Sequence, residues 1–263
     1  MARAAAGRRQ VNAGDGAARA SVAMATYNGL PYVRRQLDSI LDQIATTDQL
    51  VIVDDASSDG TWEYLQTLRH PALELFRHAT NLGIRASFQE ALAACRNDIV
   101  FLSDQDDIWL PPKRAVVMRT FATRPDVVLV TSDARVIDAD DRVIGTSFMQ
   151  TRGGFRGSVL STILKNRYLG CTMVLRRSVL PLALPIPRGA PMHDMWLGAM
   201  GAFQGAVAYI DEPLLDYRRH GRNASPSTHR PMLRMIRWRV AFAAAIVSRL
   251  FARRFRRTAL QPR

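Results

Sequence analysis

Three stretches in the first hundred residues repeat one pattern: a short apolar run, a polar turn, then apolar residues at three- and four-residue steps. Ser21–Thr26 (SVAMAT) reads as a strand ending at Tyr27-Asn28-Gly29. The helix that follows opens near Pro31 and carries Leu37, Ile40, Leu41 and Ile44 on one face. Gln49–Val53 (QLVIV) reads as a second strand, stopping at Asp54-Asp55, and Ser57-Ser58-Asp59-Gly60 supplies turn and N-cap chemistry for a helix holding Trp62, Leu65 and Leu68. Leu73–Phe76 predicts a third strand, about Ile84–Cys95 a helix, and Asp98–Leu102 a strand running into Ser103-Asp104-Gln105-Asp106-Asp107. Strands alternating with helices imply a parallel sheet with right-handed crossovers, in which ligands sit at the carboxyl ends of the strands. The polar clusters Thr26–Asn28, Asp54-Asp55 and Asp104–Asp107 all fall at such ends.

Downstream the pattern loosens. Val127–Thr131, Arg135–Asp138, Thr172–Leu175 and Ala206–Ile210 read as strands, Ser158–Leu164 and Met192–Met200 as helices, and Thr151–Gly157 as a mobile loop. Near the end Leu233, Ile236, Val240, Ala244, Val247, Phe251 and Phe255 form one helical stripe, with Arg234, Arg239, Arg249, Arg253, Arg256 and Arg257 largely opposite. Such a helix can lie in an anionic membrane surface or pack on the domain. The expected divisions are a disordered basic arm at 1–20, a catalytic domain at 21–229 (nucleotide half about 21–110, acceptor half about 111–229) and a basic amphipathic tail at 230–263.

Charge changes the picture less than its total suggests. The net +13 resolves into +3 over residues 1–20, from four Arg and one Asp, and +10 over 230–263, from ten Arg. The intervening residues hold 22 basic and 22 acidic side chains and are neutral, so composition gives the domain no basic face and nucleic acid is set aside as a partner. Cys95 and Cys171 have no metal-ligand spacing and read as buried thiols of a reducing compartment. The first twenty residues lack an apolar h-region and no apolar run approaches 18 residues, so the expected location is cytoplasmic, peripheral to the inner face of the plasma membrane.

Asp104, Asp106 and Asp107 place three carboxylates within four residues after a buried strand. Carboxylates at i and i+2 can reach one hard cation such as Mg²⁺ or Mn²⁺, although a solvated acidic turn before Pro111 has the same composition. Asp54-Asp55 can accept hydrogen bonds from a base or a ribose, or cap the next helix. Two acid clusters converging on one sheet edge repel unless a cation or a donor-rich ligand offsets them.

Val22–Gly29 (VAMATYNG), Val51–Thr61 (VIVDDASSDGT), Asn81–Gly83 (NLG) and Phe101–Trp109 (FLSDQDDIW), in that order, resemble the family 2 glycosyltransferases with a GT-A fold, over about residues 20–225. Asp-Gln-Asp-Asp-Ile-Trp, Asn166…Gly170–Met173, His193–Trp196 and Tyr217–Gly221 further resemble a bacterial, rhamnosyltransferase-like subgroup. The resemblance implies a Rossmann-like α/β fold with a mixed, mainly parallel sheet flanked by helices, and an inverting, metal-dependent transfer. It implies that Tyr27 stacks on the donor base, Asp55 bonds its edge, Asp104 faces the ribose and Asp106 binds the metal on the diphosphate, with Thr26 and Asn28 beside them. Arg85 is aligned to the donor and His220 to the metal or diphosphate. Asp194 matches the general base; His193 stands where the wider family has Glu. Trp109, His193 and Trp196 are candidates for the acceptor site, although aromatics beside helices commonly pack.

The implied partners are a nucleotide-diphosphate sugar (dTDP-rhamnose or a UDP-sugar), a glycan or lipid-linked acceptor in surface polysaccharide or glycolipid assembly, and a membrane surface touching the C-terminal helix. A sugar-phosphate nucleotidyltransferase is the competing enzyme, but Ala25–Gly29 lacks the basic Gly-rich loop that would hold a triphosphate. A catalytically silent, membrane-associated nucleotide-sugar-binding subunit is the non-enzymatic alternative.

Overall fold

A computed structural model describes residues 18–221 and 232–258; most of the predicted basic arm and the end of the tail lie outside them. The chain begins β1 (Ala20–Thr26), α1 (Leu30–Leu41), β2 (Gln49–Asp54), α2 (Thr61–Thr67), β3 (Leu73–Arg77), α3 (Ile84–Ala94) and β4 (Ile99–Ser103). It continues through β5 (Ile108–Trp109), α4 (Lys113–Thr123), β6 (Val127–Ile137), β7 (Val143–Gly145), α5 (Phe148–Arg152) and α6 (Val159–Leu164). β8 (Met173–Arg176), α7 (Leu180–Ala183), α8 (His193–Gln204), β9 (Ala206–Arg218) and α9 (Met232–Thr258) complete it.

The strands form one sheet in the order β3-β2-β1-β4-β8-β6-β9-β5, with β7 beside β6. β3, β2, β1 and β4 are mutually parallel; β8 runs against β4 and β6, and β6 is parallel to β9. Alternation along the parallel strands divides their apolar side chains between two cores. Val22, Met24, Leu50, Ile52, Ile99 and Phe101 face one layer of helices; Ala23, Val51, Val53, Val100 and Leu102 face the other. Burial on both faces gives such strands continuous apolar runs, and each buried Leu, Ile, Val or Phe contributes about 1.5–3 kcal/mol.

Three expectations need correction. The two segments predicted at 127–131 and 135–138 are one strand, β6, carried past Ser132-Asp133 by a register shift opposite β9. Asp133 is buried there, its Oδ1 accepting the N–H of Ala134 and of Met149. Residues 148–152, partly assigned to a loop, form α5, capped by Ser147. Trp109 and Trp196 are not exposed to an acceptor: both are buried, Trp109 packed on Phe101 and Trp196 donating Nε1–H to the Ala183 carbonyl at 2.7 Å. The C-terminal helix, for which the sequence left membrane contact and packing on the domain both open, does pack on the domain, and by a face other than the stripe's described residues. α9 docks through Phe242 and Ile246, with Arg249 donating to the Leu182, Leu184 and Pro185 carbonyls. Ile236, Val240, Val247 and Phe251 stay 50–63% exposed.

Candidate active site

A cleft of about 330 Å³ opens at the carboxyl ends of β1, β2 and β4, within the usual range for small-molecule sites. Thr26, Tyr27, Asp55, Asp104, Asp106, His193 and Asp194 all line it. Asp55 and Asp194, 139 residues apart in sequence, therefore share one cavity.

Adjacent acids divide the work at the end of β2. Asp54 is structural, accepting from the hydroxyls of Thr26 and Ser57 and from the Ser57 N–H. Asp55 reaches the cleft and holds its wall. Its oxygens accept the N–H groups of Leu82 (2.8 Å) and Gly83 (2.8 Å), and Oδ1 lies 2.6 Å from His78 Nδ1. The other ring nitrogen of His78 is 2.9 Å from Glu90. Burial lowers the proton affinity of this histidine, but the bonds to Asp55 and Glu90 outweigh that and raise its pKa. The Asn81-Leu82-Gly83 turn is thus strapped to the carboxylate expected to meet the base.

Tyr27 is 47% exposed, its ring free to be covered by a planar ligand. Its backbone is fixed from across the cleft: Gln105 Oε1 accepts its N–H at 2.8 Å and Gln105 Nε2 donates to its carbonyl at 3.0 Å. A Cβ at Gly29 would come within 2.2 Å of that amide and displace it from Tyr27. Asn28 lies outside the cleft lining; at φ 49° it turns its Oδ1 to the Ser58 N–H. Arg85 also lies outside, donating to the Arg188 and Ala190 carbonyls.

The acid loop is clamped by β9. Buried Arg218 donates Nε–H to the Asp106 carbonyl (2.7 Å) and its N–H to Asp107 Oδ1 (3.0 Å). His220 stacks on Tyr32, and its Nε2 is 2.8 Å from Asp106 Oδ2. Burial, then the charges of Asp107, Asp106 and Asp194, hold the Asp104 carboxyl well above the usual range. A site with this excess of negative charge suits a cation. Asp104, Asp107 and Cys171 form the one three-donor cluster among the described residues. It fits a hard dication poorly, because burial keeps the thiol protonated and the Lys113 ammonium bonds the Cys171 carbonyl beside it. Asp106, open to the cleft and backed by His220, fits better, with Asp104 beside it.

On the opposite wall α8 begins with His193-Asp194. Asp194 accepts from Asn166 Nδ2 (3.2 Å) and its neighbour's N–H (2.5 Å); burial nevertheless raises its carboxyl to about 6. His193 stacks on Phe88 at 4.1 Å, is pushed down to about 4 by burial, and has no hydrogen-bond partner at either ring nitrogen. A Cβ at Gly170 would sit 3.0 Å from its Nε2. Among these residues sequence reasoning missed Gln105, His78, Lys113, Arg218 and Asn166 as supports; Gln105, Arg218 and Asn166 stand in segments already singled out by motif.

The glycosyl transferase family 2 model matches residues 21–181. An uncharacterized glycosyltransferase of Nostoc sp. is 30% identical over 77% of this chain and 65% of its own length. The putative teichuronic acid biosynthesis glycosyltransferase TuaG of Bacillus subtilis is 26% identical over 75% of this chain and 78% of its own. This chain spans roughly three fifths of the length of the first curated relatives it matches. The S. aureus TarS 1–349 structure in complex with UDP-GlcNAc superposes with a TM-score of 0.68 at 17% identity, covering 89% of this chain and 73% of that one, and shares the GT-A fold. By the family match across most of its ordered domain, this chain belongs to glycosyl transferase family 2.

Proposed function

We propose that this chain is an inverting, divalent-metal-dependent glycosyltransferase, with rhamnose the sugar its motifs favour. It takes the sugar from a nucleotide-diphosphate donor to a hydroxyl of a glycan or lipid-linked acceptor in surface polysaccharide or glycolipid assembly. The observation that carries this reading is the single cleft in which Tyr27, Asp55, Asp104 and Asp106 stand opposite Asp194. Relatives named for teichuronic acid biosynthesis and as a chondroitin synthase support the acceptor class.

In this reading Tyr27 stacks on the base, Asp55 orders the loop against its edge, and Asp104 meets the ribose. Asp106, with His220, holds Mg²⁺ or Mn²⁺, which supplies positive charge to the departing diphosphate. Asp194 takes the proton of the acceptor hydroxyl as that oxygen bonds the anomeric carbon and the carbon–oxygen bond to the diphosphate breaks. One carboxylate suffices, since inversion needs no covalent intermediate. His193 stays neutral and lines the cleft beside Asp194 on the acceptor side. The decisive experiment screens UDP- and dTDP-sugars, dTDP-rhamnose included, for diphosphate release with and without Mn²⁺ or Mg²⁺. Metal-dependent release that rises with a glycan or lipid-linked acceptor is expected. Pyrophosphate release from a nucleoside triphosphate and a sugar phosphate, or nucleotide binding without turnover, would replace the reading.

The membrane partner and an inner-face location are part of the same proposal. No helix among the described residues is long and apolar enough to cross a membrane. The exposed stripe Ile236, Val240, Val247 and Phe251 spans a narrow arc of α9, with exposed Arg237 near it. Apolar area plus cationic charge suits an anionic lipid surface. The chain is expected to sediment with phosphatidylglycerol vesicles, and Val240→Asp/Val247→Asp to lose about tenfold in binding, because both side chains are exposed and the fold does not depend on them. Equal sedimentation of the two proteins would exclude α9 as the contact.

A further inference from the structure

Residues 184–192 join α7 to α8 without helix or strand of their own, and they lead directly into His193-Asp194. The path of this segment therefore sets where the Asp194 carboxylate stands in the cleft. α3 holds the segment and its end at three side chains. Gln89 Oε1 accepts the Ile186 N–H at 2.8 Å. Arg85 donates from Nη1 to the Arg188 carbonyl at 3.0 Å and to the Ala190 carbonyl at 3.4 Å. Phe88 stacks on His193, with ring centroids 4.1 Å apart. Positions 85, 88 and 89 stand at i, i+3 and i+4, so one face of one helix makes all of these contacts. Phe88, Ile186, Ala190 and His193 are buried where the two meet.

The same helix is fixed to the nucleotide side of the cleft. Its N-cap Gly83 donates N–H to Asp55 Oδ2, and Glu90 reaches Asp55 through His78. α3 thus connects the carboxylate assigned to the nucleobase with the one assigned to the acceptor proton. We propose that Arg85 is a positioning residue for Asp194: with Gln89 and Phe88 it fixes the 184–192 segment to α3 and so sets the general base against the donor site. It touches neither nucleotide nor sugar, and the motif alignment that placed it at the donor gives way to its bonds. The inference rests on the reading of Asp194 as general base. A guanidinium presents its N–H groups in a fixed plane, which suits the holding of a chain at two carbonyls, and a small displacement of a reacting group is costly in rate.

The test is a substitution cycle read as Mn²⁺-dependent diphosphate release across a panel of UDP- and dTDP-sugars, with UDP and dTDP affinity measured by calorimetry. Arg85→Met is expected to lower kcat by about 10–100-fold and to leave nucleotide affinity within about twofold. Arg85→Lys, which keeps a cationic donor for one carbonyl, is expected to recover to within about fivefold of wild type. In the Asp194→Asn background Arg85→Met is expected to cost less than about threefold more, because it acts through that carboxylate. Weakened nucleotide binding in Arg85→Met would overturn the proposal in favour of a donor contact. An equal loss in both backgrounds would overturn it in favour of general damage to the fold. Where Arg85→Met does not fold, Gln89→Met carries the same cycle: a loss of about tenfold in kcat that vanishes beside Asp194→Asn supports the proposal, and one that persists overturns it. Absence of release by the wild-type chain across the panel, or undiminished turnover in Asp194→Asn, ends the general-base reading and this proposal with it; a normal wild type with additive losses ends this proposal alone.

Discussion

Asp194→Asn is expected to cut turnover by about 10²–10⁴-fold while leaving nucleotide affinity within a factor of two. The carboxylate stands in the first turn of α8, across the cleft from Asp104 and Asp106, and the amide keeps its shape and its bond from Asn166 while losing the ability to take a proton. The same group sets a pH dependence. Burial raises its folded-state pKa from 3.8 to about 6, partly offset by the donors Met195 N–H and Asn166. A base works only when deprotonated, so transfer should be flat above neutrality and fall as pH drops through about 6. Asn166→Ala removes a bond that favours the charged form and should move that limb to higher pH. A diphosphate-release assay across pH 4.5–8.5 measures both. An Asp194→Asn protein with wild-type turnover, or a limb that survives the substitution, would take the base role away from this residue.

What the sequence discloses of this site depends on how far apart the partners lie along the chain. β1, β2 and β4 were legible because parallel strands buried on both faces are continuous apolar runs, and the polar residues ending them mark the ligand edge. The carboxylates of the candidate site stand out in the sequence for the same reason, each lying directly after a run or at the start of α8. The supports do not. Gln105 reaches Tyr27 across 78 residues, Lys113 reaches Cys171 across 58, and Arg218 reaches Asp107 across 111. No local pattern announces such a pair. Trp109 and Trp196 misled because adjacency to acids was weighed above phase. Trp109, three positions beyond the cleft-lining Asp106, and Trp196, two beyond Asp194, both turn inward into the core. α9 left a choice open: its apolar stripe shows at helical spacing, while the domain packs on Phe242 and Ile246 of another face, so the helix is apolar twice over. β6 was split because Ser132 and Asp133 break its apolar run where the sheet itself shifts register.

Asp106→Ala is expected to lower transfer by about 10²–10³-fold and to abolish the gain in UDP or dTDP affinity that Mn²⁺ gives. The loop does not need the side chain for its path: its backbone is held by Arg218 through the Asp106 carbonyl and by the Asp107 carboxylate. What the side chain supplies is a charge at the mouth of the cleft, with His220 at 2.8 Å from Oδ2. That charge is also one of those raising the Asp104 carboxyl, after burial and Asp107, so its removal relieves repulsion in the apo protein. Thermal stability without metal should therefore be unchanged or slightly higher in the variant, while stabilisation by Mn²⁺ with nucleotide should be lost. The combination separates a functional loss from a folding loss, because a residue needed for the loop's structure would lower both. Melting curves with and without Mn²⁺ and UDP, beside the release assay, read the two quantities. A variant that melts early and still responds to metal would show that Asp106 shapes the loop and that another group carries the cation.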